Sequence, residues 1–403
     1  MNTAEGPLVI VGAGLAGLRV AEAARAAGFA NRILLVSDEP HAPYDRPPLS
    51  KAVLLAEGHE REIALAPGDS LAESQIELHT GRAVTAIDRT AHRVILAGGE
   101  ALSYGTLVLA TGSRVRTLPS LPPGAPGVHY LRSLDDALAL RRDLAAASRV
   151  AIVGGGIIGL EIAAASSSGR QVTVIEPQPR VMARATAPAV SDYFERRHRE
   201  AGVTFLFGAT IADAARNEAG WTLRLSQGPD LIADIVVVGV GVLPNTELAA
   251  AAGLEVAPGG IVVDAHGRTG DPHIFAAGEV ALHVNTRHGR HERQETWAHA
   301  AAHGAHVGRS LLAPDEGYAE TASYWTDQYD INLQAWGTPI GETDIVRGDP
   351  AGGKFLVFHI VGGAIAGVSA VNAVRDLRTA KKLLGHPPPP DLANPAVPLK
   401  APG

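Results

Sequence analysis

The chain has 403 residues, 46 % of them hydrophobic and 19 % charged, which is enough for two or three domains with cores of their own. Its 35 basic and 42 acidic residues leave a net charge of −7, which argues against nucleic acid as a main partner. No apolar run has the length of a membrane span, and cysteine is absent, which excludes disulfides, cysteine-ligated iron–sulfur clusters and thiol redox chemistry.

Met1-Asn-Thr-Ala-Glu5 carries no positive charge ahead of the first apolar run, so a cytoplasmic chain is expected rather than a secreted one. Leu8-Val-Ile-Val11 reads as a buried parallel strand. Gly12-Ala-Gly14-Leu-Ala-Gly17 follows, then a helical stretch to Ala27 and a second strand, Ile33 to Val36. This is a dinucleotide fingerprint: glycines for a tight turn, for backbone approach to a pyrophosphate and for helix-on-strand packing. An acid at the end of the second strand takes the ribose hydroxyls; Asp38 is the better candidate, and Glu39 lies one residue away. Pro43-Tyr-Asp-Arg-Pro-Pro-Leu-Ser-Lys51 is too rich in proline for a regular element and reads as a stiff cofactor wall, with Ser50 placed to cap a short helix to Leu55. Strands are expected at 76–79, 83–87, 93–96 and 106–109, the last ending in Ala110-Thr111-Gly112. A helix should run from Ser133 to about Ala147, with Asp135 and Asp136 in its first turn.

The fingerprint then repeats. Val150-Ala-Ile-Val153 leads into Gly154-Gly-Gly156-Ile-Ile-Gly159, an Ala-rich helix, the strand Val172–Ile175 and Glu176. Strand, turn, helix, strand and acid in register are a specific signal where a lone glycine motif is not. Two such units suggest two dinucleotides bound together, and a flavin with a nicotinamide is the natural pair because one can reduce the other. Without cysteine, electrons must leave directly from a bound cofactor.

Beyond Glu176 a helix is expected from Ala189 to Gly202, and strands at 204–207, 221–225, 235–240, 260–263 and 274–276. A further helix spans Thr296 to Leu312. It carries His299, His303 and His306 on one face at spacings of four and three; without Asp or Cys partners they read as a solvated or packed face rather than a metal site. From Tyr318 the texture changes, with Tyr324, Trp325, Tyr329 and Trp336 close together. Strands at 331–336, 355–360 and 364–371 and a helix at 372–384 then predict a separate α+β domain, with a loosely held Pro-rich tail after His386.

Together these motifs resemble the FAD- and NADH-dependent ferredoxin reductases that serve aromatic-ring dioxygenases and bacterial cytochromes P450, over nearly the whole length. Pro43 to Lys51 resembles the PYDRPPLSK signature of the dioxygenase branch. Ala110-Thr-Gly112, Gly159-Leu-Glu161, Gly241 to Asn245 and Thr269 to Val280 match the family's ATG, GxE, GVxPN and T…IFAAGDV motifs, and Glu295-Thr-Trp297 again favours the dioxygenase branch.

The resemblance implies a glutathione-reductase-like α/β fold: two Rossmann-like domains plus an α+β C-terminal domain. Residues 1–113 and 236–315 would bind FAD, 114–235 NADH, and 316–403 would form the C-terminal domain. FAD would be held by Gly12, Gly14, Gly17, Asp38, Ala110, Thr111, Gly278 and Glu279. Its ring would be lined by Arg46, Lys51, Trp297 and Trp325, with Lys51 near N5 and paired to Glu161. Gly154, Gly156, Gly159 and Glu176 would hold NADH, and Lys51, Glu161 and Trp297 would serve the reaction. Electrons would go to a separate [2Fe–2S] ferredoxin docking at Arg287, Arg290 and Arg293. The resemblance also leaves a P450 ferredoxin, a rubredoxin or a regulatory role open. Two positions depart from the family: Glu279 stands for the usual Asp of the flavin motif, and His299 for the usual Asn.

Overall fold

The computed structural model describes residues 6–313 and 316–400; the Met1–Glu5 segment lies outside them. The chain divides into two compact units. One comprises the residues up to Asp45, Arg61–Arg114 and Val242–Ala322; the other comprises Arg46–Glu60, Val115–Gly241 and the chain from Ser323 onward.

The first unit is built on a five-stranded parallel sheet in the order 274–276, 106–109, 8–11, 33–36, 76–79. Leu8–Val11 sits at its centre, and all four of its residues are buried. Because side chains alternate along a strand, Leu8 and Ile10 join Ile33, Leu35, Val108 and Phe275 in one core, while Val9 and Val11 join Leu34, Leu107 and Leu109 in another. Continuous aliphatic runs are therefore what this sheet requires, since both faces are covered. On the first face lie the helices Leu15–Ala26 and Trp297–Ser310. They meet backbone to backbone: a Cβ on Gly304 would stand 2.4 Å from Ala16 O, and one on Gly308 2.5 Å from Val20 O. This pair of small residues sets where the second helix, and Trp297 at its start, can lie.

The second unit repeats the plan with a parallel sheet in the order 204–207, 171–176, 149–153, 235–238, 128–130. The same unit contains the C-terminal antiparallel sheet, ordered 323–328, 331–337, 364–371, 354–361, 343–349. The helix Val374–Ala380 packs on it through Leu377 and Ala380.

Three local readings change. The strand Thr343–Asp349 was not expected, because it is a mixed polar edge strand whose register is imposed by Lys354–Val361. Arg290–Glu292 is a strand paired with Ala281–Asn285, where no strand was expected. The Pro-rich tail is pinned, not loose. The buried Arg347 guanidinium donates to the carbonyls of Leu392 (3.1 Å), Asn394 (2.5 Å) and Val397 (2.6 Å), and Leu392 is buried in the C-terminal core. Proline content hid this, because the partners are carbonyls that every residue has.

Gly304→Ala should lower the thermal midpoint by the equivalent of roughly 1–3 kcal/mol, the usual cost of forcing an extra carbon into a close-packed contact. An unchanged midpoint would mean that the two helices are not this close.

Candidate functional site

The two strand–helix turns have the same geometry. At the first, Gly12 has φ +110°, and a Cβ there would lie 2.2 Å from Ala110 O. A Cβ on Gly17 would lie 1.9 Å from Gly12 O, so the helix rests directly on the turn. Gly14 caps the helix with extended backbone and no side-chain cap, and a Cβ on it would meet nothing within 4 Å. At the second turn Gly154 has φ +112°, and a Cβ there would lie 2.3 Å from Gly239 O, while one on Gly159 would lie 2.0 Å from Gly154 O. Gly156 again faces open space and caps its helix without a side-chain bond. Two glycines in each turn are demanded by the chain itself; the middle one is needed only by something approaching from outside. A diphosphate fits that demand, because the first-turn N–H groups and the helix dipole both favour an anion.

Glu176 ends the strand Gln171–Glu176 and stands at the mouth of its turn, where it accepts the Gly155 N–H at 2.7 Å and the Gln178 N–H at 2.8 Å. Nearby Arg180 is occupied by Thr186 O (2.8 Å), Ser191 Oγ (2.6 Å) and Ala183 O (2.9 Å). In the first unit, Val11 pairs with Val36 as Val153 pairs with Ile175, so Ser37 is level with Glu176 and Asp38 lies one residue further. Asp38 is exposed, while the Glu39 carboxylate accepts the Tyr44 hydroxyl.

The first unit gathers the flavin-type motifs. The Ala110–Gly112 and Gly241–Asn245 motifs meet at Thr111 and Asn245. Thr111 Oγ1 donates to Asn245 O and Asn245 Nδ2 to Thr111 O, each at 2.8 Å. Asn245 was not singled out as a site residue, although its motif was. Gly278, at φ +76°, packs against Ala16 and donates its N–H to His303 Nδ1 at 3.0 Å. Glu279 is half-buried, and its carbonyl accepts Arg293 Nε at 2.7 Å. Arg293 also reaches Ser113 Oγ (3.1 Å) and Glu295 (2.6 Å), so it braces this loop. Arg287 and Arg290 are exposed. Trp297 begins its helix beside the Thr296 cap and donates Nε1–H to Asp45 Oδ1 at 2.6 Å.

Behind the flavin-type motif, His299 and His303 are buried, with their rings stacked 4.9 Å apart against His283 and Tyr318. His299 Nδ1 lies 3.0 Å from the Tyr318 hydroxyl, and His306 Nε2 donates to Ala265 O at 2.9 Å. Among the described residues no group of three His, Cys, Asp or Glu side chains is arranged to hold a metal ion. Burial pushes His299 down to about 3, with His283 adding to it, and holds His303 well below the usual imidazole range.

The second unit holds Lys51 and Glu161. Lys51 Nζ lies 2.7 Å from Glu161 Oε1, and the carboxylate is buried. The Ser50 hydroxyl donates to the other oxygen, and Thr326 Oγ1 donates to Oε1 at 2.6 Å. The expected capping role of Ser50 falls away: Lys51 occupies the cap of the helix Ala52–Leu55, and Ser50 is turned to the carboxylate instead. Arg46 Nη1 donates to Arg132 O at 2.5 Å, and Trp325 is half-buried on the strand Ser323–Gln328.

Residues 6–304 match the family model of pyridine nucleotide-disulphide oxidoreductases, and residues 323–402 that of the reductase C-terminal domain. The chain belongs to the pyridine nucleotide-disulphide oxidoreductase family. It is 47 % identical over 402 residues, 98 % of both chains, to the ferredoxin–NAD(+) reductase component of an anthranilate 1,2-dioxygenase system from Burkholderia cepacia. It is 39 % identical over 405 residues to putidaredoxin reductase of Pseudomonas putida, covering 98 % of this chain and 96 % of that one. Its fold matches the crystal structure of the covalent putidaredoxin reductase–putidaredoxin complex with a TM-score of 0.92 and 37 % identity, covering 98 % of this chain and 97 % of that one.

The buried imidazoles set an acid limit. His299, His303 and His198, the last pushed down to about 4 by burial, stay neutral in the fold but bind protons below about 6.5 once unfolded. The unfolded state therefore gains protons first, and stability falls as pH drops from about 6.5 toward 4. The thermal midpoint should fall through this window, and His299→Asn should flatten the fall. Parallel curves for wild type and variant would contradict this.

Proposed function

We propose that this chain is an NADH-dependent ferredoxin reductase: an FAD-containing oxidoreductase that takes electrons from NADH and delivers them to a separate [2Fe–2S] ferredoxin. The observation that carries the reading is the pair of matching glycine cradles in a chain with no cysteine. When bound, the flavin accepts an electron pair from the nicotinamide and passes electrons on singly. The chain's residues bind and orient these groups. Gly12, Gly14 and Gly17 receive the FAD diphosphate, Asp38 its ribose, Ala110 and Thr111 the turn beside it, and Glu279 the ribityl hydroxyls in place of Asp. Arg46, Lys51, Trp297 and Trp325 serve the ring, while Gly154, Gly156, Gly159 and Glu176 receive NADH. The 47 % identical relative and the Glu295-Thr-Trp297 motif favour the ferredoxin of an aromatic-ring dioxygenase as acceptor over that of a P450. Among the described residues no helix is long and apolar enough to cross a membrane, and the cytoplasm is the proposed site of action.

Glu176 would repel a 2′-phosphate, and Arg180 is already committed to three local acceptors, so it is not free to offset that repulsion. Steady-state kcat/KM should favour NADH strongly over NADPH, and Glu176→Ala should narrow the gap. Equal values in the wild type would overturn the assignment.

Arg287 and Arg290 give an exposed basic patch on an acidic chain, which suits an acidic ferredoxin; Arg293 supports the loop from inside. Arg287→Glu with Arg290→Glu should slow reduction of a [2Fe–2S] ferredoxin severalfold and flatten its salt dependence, with flavin reduction by NADH unchanged in stopped flow. Ferredoxin reduction at the wild-type rate in low salt would remove the docking assignment. Reduction of no ferredoxin, of either dioxygenase or P450 type, would remove the function itself.

A further inference from the structure

Glu161 is 3 % exposed, yet it meets three donors from two distant parts of the chain: Ser50 of the turn Pro47–Ser50 and Lys51 beside it, and Thr326 of the C-terminal strand Ser323–Gln328. The line of donors continues behind Thr326. Gln328 Nε2 donates to Thr326 Oγ1 at 3.1 Å. Gln328 Oε1 then accepts His198 Nε2–H at 2.8 Å, and His198 Nδ1 accepts the Tyr329 hydroxyl at 3.1 Å. Thr326, Gln328 and His198 are each no more than 2 % exposed. Thr326 and Gln328 point to one side because they are two residues apart on a strand.

Every proton in this line points toward Glu161. Tyr329 donates to His198, His198 to Gln328, Gln328 to Thr326, and Thr326 to the carboxylate. Donors aligned head to tail polarise one another, and all of that polarisation ends on one oxygen, which also faces the Lys51 ammonium. Tyr329 is held at φ +55°, a left-handed conformation rare for a bulky residue, at the hairpin turn between Gln328 and Ile331. That conformation is what a two-residue hairpin loop requires, and it holds the partly exposed Tyr329 where its hydroxyl closes the line of donors. Neutral His198 fits as well: only with Nε2 protonated and Nδ1 bare does it both donate to Gln328 and accept from Tyr329.

We propose that Thr326 and Gln328 are positioning residues for the reaction: braced by His198 and Tyr329, they fix the Glu161 carboxylate and through it the Lys51 ammonium. This rests on the reading that Lys51 serves the flavin ring. Without the Thr326 hydroxyl, Glu161 Oε1 keeps only Lys51, the Gln328 amide loses its acceptor, and the carboxylate is free to turn and draw the ammonium with it. The C-terminal domain thereby contributes to the chemistry without supplying a group that touches a cofactor through these two residues.

The test compares wild type with Thr326→Val, Thr326→Ser, Lys51→Met and the Lys51→Met/Thr326→Val double variant. Two quantities are read: the flavin midpoint potential by dye equilibration, and the rate of flavin reduction by NADH in stopped flow. Thr326→Val should slow reduction roughly tenfold, in line with losing one charge-assisted hydrogen bond. It should also shift the potential in the same direction as Lys51→Met, while Thr326→Ser restores both. The double variant should match Lys51→Met alone, because Thr326 acts only through the lysine. If Lys51→Met changes both quantities and Thr326→Val neither, the positioning proposal is overturned and the role of Lys51 stands. Additive effects in the double variant also overturn it. If Lys51→Met leaves both unchanged, the reading of Lys51 fails and takes the proposal with it. Should Thr326→Val not fold, Gln328→Leu carries the same comparison one bond further out, with a smaller slowing in the same direction.

Discussion

At each strand–helix turn the backbone comes so near itself that a Cβ on either outer glycine would lie within 2.3 Å of a carbonyl oxygen. That approach fixes the angle at which each helix leaves its sheet, and so where its uncapped first turn points. The middle glycine has a different reason to be there, since nothing in the chain crowds it. A position where the protein has no need of glycine, inside a turn where it needs two, is what a close-approaching diphosphate leaves behind. The two units share the order of four strands with the fingerprint strand central in each sheet, while the remaining edge strand follows the fingerprint in the first unit (274–276) and precedes it in the second (128–130).

Around these cradles the chain spends its buried polar groups on holding things still. In the first unit, His303 accepts the Gly278 N–H and Arg293 donates to the Glu279 carbonyl, so a turn built on a left-handed glycine is tied from two sides. In the second, a buried carboxylate is matched by a cation and two hydroxyls, the arrangement that keeps an interior charge from destabilising the fold. No acid–base pair is needed for proton abstraction when the reaction moves electrons between cofactors, and orientation is the contribution left to the protein.

The parallel strands and both cradles were legible because aliphatic runs buried on two faces and glycine spacing are local signals. The ends of elements were less so: the helix expected over 372–384 begins at Val374 and tightens at Lys381–Leu383. What sequence could not show were partners far apart in the chain. Ser50 looked like a cap because its distance along the chain to Glu161 conceals their contact. Thr326 and Gln328 lay in a stretch where no strand was expected, so the alternation that puts them on a single face became visible only in the structure. Arg293 read as surface charge because three arginines lie together in sequence, while the fold draws one of them inward. The tail read as loose because an arginine clasping carbonyls leaves no trace in composition.

The central claim is that one chain binds a flavin in its first cradle and accepts electrons into it from NADH bound at the second. Anaerobic titration of the purified, FAD-saturated protein with NADH, followed by the flavin's visible absorption, tests it most directly. The account predicts complete bleaching at about one equivalent of NADH per flavin, reversed on adding oxidised [2Fe–2S] ferredoxin. Protein that binds NADH while its flavin stays oxidised, or that retains no FAD when correctly folded, would contradict it.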